Sequence, residues 1–100
     1  MSIHSQLADG SVLTIAIEGR FDFSAHKEFR ESYEGLASAP ERYCIDMGAA
    51  NYIDSSALGM LLLLRDHAGG DSAQVEIVNC SPDVKKILTI SNFDQLFTIH

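Results

Sequence analysis

Residues 51–67 read NYIDSSALGMLLLLRDH, and the reading of this stretch decides the fold. An acid and two serines stand directly ahead of the most hydrophobic run in the chain. Asp and Ser oxygens accept the unpaired N–H groups of a helix's first turn, so Asp54 or Ser55 is expected to begin a helix running to about His67. Leu58, Leu61, Leu62 and the stem of Arg65 should share one face, with Leu63 and Leu64 widening it. A helix this apolar must be buried over much of its circumference. Gly69-Gly70 should stop it, because glycine tolerates the left-handed conformation past a helix end.

Working outward, RYCIDM (Arg42–Met47) reads as a strand, and Gly48-Ala49-Ala50 as a small-residue loop leading to the helix. Further upstream, Ser24 is the expected cap of a helix reaching Ala37. Its stripe is Phe29, Tyr33 and Leu36, and Pro40 closes the segment. Val12–Glu18, VLTIAIE, alternates with Leu13, Ile15 and Ile17 on one face, and Gly19 should end that strand. Asp9-Gly10 is a hairpin signal joining it to a short strand over Ile3–Leu7. Downstream, QVEIVN (Gln74–Asn79) is a strand. Ser81 should cap a third helix with Pro82 at its first position and Val84, Ile87, Leu88 and Ser91 on one side. Asn92 ends it, and Leu96–His100 forms a last strand. The order β-β-α-β-α-β-α-β implies an α/β domain whose mixed sheet is parallel through its later strands. The segment before Asp54 joins the carboxyl end of a strand to a helix start, the edge where ligands and modifications gather in open α/β sheets.

Composition narrows the function. One hundred residues make one domain, and 46% hydrophobic with 21% charged residues is the make-up of a folded chain. A formal net charge of -7 argues against direct binding to nucleic acid or an anionic membrane. The first residues, MSIHSQLADG, lack the basic and apolar regions of a signal peptide, and the apolar run Met60–Leu64 is far short of a membrane span, so a cytoplasmic protein is expected. Cys44 and Cys80 have no CxxC partner and read as small buried hydrophobes. His4, His26, His67 and His100 show no metal-ligand spacing, and neither a metal nor another cofactor is expected.

Catalytic patterns are absent. No GxSxG elbow surrounds Ser55 or Ser56, no glycine-rich phosphate loop is present, and no pair of carboxylates has a catalytic spacing. A binding protein is expected, not an enzyme. The serines then have two readings. In the first, Asp54, Ser55 and Ser56 are simply the capped first turn. Alternatively, a serine is displayed there for phosphorylation, since a helix N-terminus tolerates phosphate and the added charge of about -1.5 to -2 would repel an acidic or apolar partner.

YIDSSALGMLLLLRDHA resembles the Asp-Ser-Ser-Gly-Leu-Gly signature of STAS domains, in particular bacterial anti-sigma factor antagonists. VLTIAIEGRFDFSAHKEF is similar to the family's second strand and its turn into the first helix, SPDVKKILTISNFDQLF to its Ser-Pro-x-Val-Lys helix, and RYCIDM to its central strand. The match spans nearly the whole chain, residues 1–100, in order. The resemblance implies a single STAS-like domain, a mixed sheet of four to five strands with helices packed against one face. It implies an antagonist, monomeric when free, that binds an anti-sigma factor often doubling as a serine kinase and so releases a sigma factor. Phosphorylation would end binding and a serine phosphatase would restore it. By position the phosphorylated residue is Ser55, with Ser56 the alternative. The implied partner surface is Phe21, Asp22, Phe23 and Ser24 with Asp54, Ser55, Ser56, Ala57, Leu58 and Gly59. Ala57 stands where the family often has glycine, a change expected to firm the helix start and narrow access slightly. The competing reading is a constitutive STAS scaffold in a larger complex or lipid-transport system, with the serines acting only as caps.

Overall fold

Alternating burial along three strands shows where the core lies. The computed structural model describes residues 2–8, 11–36 and 39–100. Leu13, Ile15 and Ile17 of β2 (Val12–Phe21), Tyr43, Ile45 and Met47 of β3 (Arg42–Ile53), and Val75 and Ile77 of β4 (Val75–Val78) are buried. The residues between them, such as Thr14, Cys44 and Glu76, are only half-buried. One sheet face is therefore covered and the other open. β1 (Ser2–Ala8) and β5 (Thr98–Ile99) complete a five-stranded sheet in the order β1-β2-β3-β4-β5. β1 is antiparallel to β2 and the remaining pairs are parallel. Right-handed crossovers that always step the same way put α1 (His26–Glu34), α2 (Ser55–His67) and α3 (Pro82–Ile90) on one face. The expected topology holds. The Asp9-Gly10 turn lies outside the described residues, and the first helix ends at Glu34 with Gly35 as its C-cap, short of the expected Ala37.

Two strands run further than their sequence suggests. Gly19 does not end β2: it takes φ 80° and the strand continues to Phe21. Gly48-Ala49-Ala50 is not a loop but part of the twelve-residue β3. The β2–β3 register slips between Ala16 and Glu18 and again between Gly19 and Arg20. Each slip inserts a residue into β3, so burial steps by two along Tyr43, Ile45 and Met47, then by three to Ala50 and Ile53. At the first bulge the Asp46 carboxylate accepts the Gly48 N–H at 2.9 Å and the Asn79 amide at 3.1 Å. A Cβ on residue 48 would come within 3.1 Å of that carboxylate, which accounts for the glycine. Strand pairing thus overrides the low β propensity of Gly and Ala.

Helix faces differ in detail from the sequence reading. In α2 the buried residues are Ala57, Met60, Leu61 and Leu64, an i, i+3, i+4, i+7 set, while Leu62 and Leu63 are exposed. In α3 Val84 and Leu88 are buried, but Ile87 and Ile90 face out. Ser81 caps α3 as expected, accepting the Val84 N–H at 3.2 Å, with Pro82 at the first position. An aromatic series ties the layers together: Phe21 to Phe29 at 5.1 Å, Phe29 to Tyr33 at 5.7 Å, and Tyr33 to His67 at 5.0 Å between ring centres. The cysteines are half-buried, not fully buried, and burial pushes both thiols up, which keeps them protonated.

Candidate functional site

The two bulges bring the carboxyl ends of β2 and β3 level. Arg20 pairs with Tyr52 and Phe21 with Ile53. The next residue on each strand is an aspartate in extended backbone, Asp22 at φ -134° and Asp54 at φ -127°. Each aspartate starts a helical segment. Asp22 opens the 3-10 turn Phe23–Ala25 that leads into α1, accepting the Ser24 N–H at 3.0 Å and its hydroxyl at 2.5 Å. Asp54 caps α2, accepting the Ala57 N–H at 3.0 Å. Two acidic caps therefore stand side by side on one rim of the sheet. Ser24 is not itself the cap expected from the sequence. The residue before α1 is Ala25, which has no side-chain bond, and Ser24 is instead held by Asp22.

Local electrostatics favour negative charge on Asp22. The Ser24 hydroxyl first, then its N–H, holds the Asp22 carboxyl below its ordinary range against a smaller desolvation effect. Arg20 helps from 3.4 Å. The Arg20 guanidinium also lies 4.0 Å from the centre of the Tyr52 ring, so one cation bridges Asp22 and an aromatic surface on the neighbouring strand. Sequence reasoning passed over Arg20 and Tyr52. Their pairing depends on the bulged register, which no local pattern reveals.

The expected site residues divide into two groups. Ser55 is exposed at the start of α2, and Ser56 behind it is half-buried. Phe23 is 70% exposed and stacks on His26 at 5.6 Å between ring centres. Asp22, Ser24, Asp54, Leu58 and Gly59 retain accessible surface. Phe21 and Ala57 have none. These two cannot contact a partner: Phe21 packs on Phe29, and the Ala57 methyl points into the core. The methyl therefore does not narrow access to Ser55, contrary to the expectation from sequence. Among the described residues no group of three or more His, Cys, Asp or Glu side chains is placed to hold a metal ion, and no helix is long and apolar enough to cross a membrane.

The family model described as "Mlab, STAS domain" matches residues 4–98. A STAS-domain containing protein of Pseudomonas aeruginosa is 65% identical over 92 residues, spanning 92% of this chain and 91% of the relative. The anti-sigma factor antagonist SpoIIAA in its unphosphorylated form superposes with a TM-score of 0.77 at 16% identity, covering 99% of this chain and 87% of that one. The same Bacillus protein in its phosphorylated form gives 0.76. A sulfate transporter family protein from Wolinella succinogenes also gives 0.76 at 14% identity, covering 93% of this chain and 80% of its own. At these identities the structures share the fold.

Proposed function

The chain belongs to the STAS-domain family, and from that premise we propose that it is a phosphorylation-switched binding module, an anti-sigma factor antagonist that works by partner exchange without catalysis. In its unphosphorylated form it binds an anti-sigma factor that is also a serine kinase, and a sigma factor is released. The kinase modifies Ser55 and a serine phosphatase reverses the step, all in the cytoplasm. The observation that carries this reading is the exposed Ser55 on a rim that already holds Asp22 and Asp54. A phosphate there gains the positive end of the thirteen-residue α2. The fold accommodates it, while a partner seated on the same rim meets about two further negative charges beside two carboxylates. Ser56 is the less favoured acceptor because it is half-buried.

The contact surface of this module is Asp22, Phe23, Ser24, Asp54, Ser55, Ser56, Leu58 and Gly59. The test is to capture the partner with Ser55→Ala and compare binding of Ser55→Ala and Ser55→Asp. A loss of at least about tenfold for the aspartate is expected. Equal binding, together with intact mass spectra from cells lacking any phosphorylated form, supports the second reading: a constitutive subunit of a larger or lipid-transport assembly. That reading is favoured by the fold shared with a sulfate transporter family protein.

A further inference from the structure

β1 is the edge strand of the sheet and its seven residues, SIHSQLA, pair among the described residues only with β2. Two bonds fix which way its backbone points. The Ala8 carbonyl accepts the Ser11 N–H at 3.1 Å, so Ala8 faces inward. The Ser11 carbonyl accepts the Arg42 N–H at 3.0 Å, so odd residues of β2 face β3 and even residues face β1. With the unbroken register Ala8↔Val12, Gln6↔Thr14 and His4↔Ala16, the even residues of β1 bond to β2. Ile3, Ser5 and Leu7 therefore turn their N–H and C=O groups outward. The strand carries no proline, no lysine and no bulge, and at seven residues it is not short. β5, at the opposite edge, is only two residues long.

We propose that β1 is a self-association edge, pairing antiparallel with β1 of a second copy about a two-fold axis through Ser5. The sequence reading expected a monomer; this edge argues otherwise. The strand is self-complementary in the register that uses all three outward residues: Ser5 faces Ser5 of the second copy and Ile3 faces Leu7. Six backbone hydrogen bonds close, two at each facing pair. Ile3, Ser5 and Leu7 lie on the helix-covered side, opposite Ile17, Ile15 and Leu13. Leu7, 40% exposed in the single chain, would gain the half-buried Ile3 of the second copy as its neighbour. A small serine on the axis avoids a clash, and no like charges oppose each other. Two five-stranded sheets would become one of ten strands.

This inference does not depend on the phosphorylation of Ser55, which lies at the end of β3. Sedimentation equilibrium from about 10 µM to about 1 mM tests it on the intact chain, alongside Ser5→Lys, Ser5→Pro and Thr98→Lys. Ser5→Lys sets two like charges on the axis. Ser5→Pro removes an N–H that the single chain does not use. Expected are a dimer for the wild type and Thr98→Lys, and monomers for both Ser5 variants with unchanged circular dichroism. Amide exchange should slow with concentration at Ile3, Ser5 and Leu7 and stay constant at His4 and Gln6. A wild type that stays monomeric throughout, or a Ser5→Lys variant that dimerises as well as wild type, would overturn the proposal. Concentration-independent exchange at Ile3, Ser5 and Leu7 would do the same.

Discussion

At Asp22 an acid two residues ahead of a serine does more than start a turn. Its carboxylate holds both the N–H and the hydroxyl of Ser24, and these bonds keep it ionised further into acid than an ordinary aspartate. A depressed folded pKa contributes stability above the unfolded value and loses it as pH falls through the folded one. Ser24→Ala should therefore raise the Asp22 midpoint in a carboxyl NMR titration. The stability gap between wild type and this variant, present at neutral pH, should close as both carboxyls protonate in acid. An unmoved midpoint would mean that Ser24 is not what tunes the group. From sequence alone the acid and the serine were both visible, but the cap role went to the serine. Ser24 had the residue type of a cap, and only the backbone shows that Asp22 fills that role. Asp54 was legible as a cap candidate beside Ser55, and the backbone decides for Asp54, which accepts the Ala57 N–H.

Among elements, α2 was found within a residue of its ends with Leu61 and Leu64 on its buried face, but Leu62 and Leu63 were placed there too and are exposed. Four consecutive leucines carry no periodicity of their own, so the sequence left the helix's rotation undetermined. Packing resolves it by setting Ala57, Met60, Leu61 and Leu64 against the sheet. Leu61→Ala should cost about 2–5 kcal/mol in urea denaturation, as a core truncation does. Leu62→Ala, on the 41% exposed neighbour, should stay within about 1 kcal/mol. Similar costs would contradict this rotation. Gly59 sits inside the same helix with no heavy atom within 4 Å of where a Cβ would stand. Gly59→Ala should stabilise the free chain by up to about 1 kcal/mol. If a partner lies close over this turn, the same change should weaken its binding; stabilisation with full binding would move the partner off Gly59. β3 was cut short in the sequence reading because Gly48-Ala49-Ala50 looks like a loop. The bulges that keep it in the sheet arise from pairing with β2, a non-local cause.

For the whole molecule, element order and mixed topology were legible because alternating strands, capped helices and glycine stops each have a local signature. What was not legible is what the bulged register brings together at Arg20, stacked over Tyr52; that Asp22 and Asp54 share one surface was implied by the resemblance, and the register sets them side by side. On a chain of net charge -7, a phosphate on the exposed Ser55, as proposed, would add to the two carboxylates of that rim and leave the core untouched. The most direct measurement is calorimetric titration of the partner captured by Ser55→Ala, using unphosphorylated protein and protein phosphorylated stoichiometrically at Ser55. The account predicts at least about tenfold weaker binding for the phosphorylated form, with unchanged circular dichroism. Equal affinity for the two forms would contradict it.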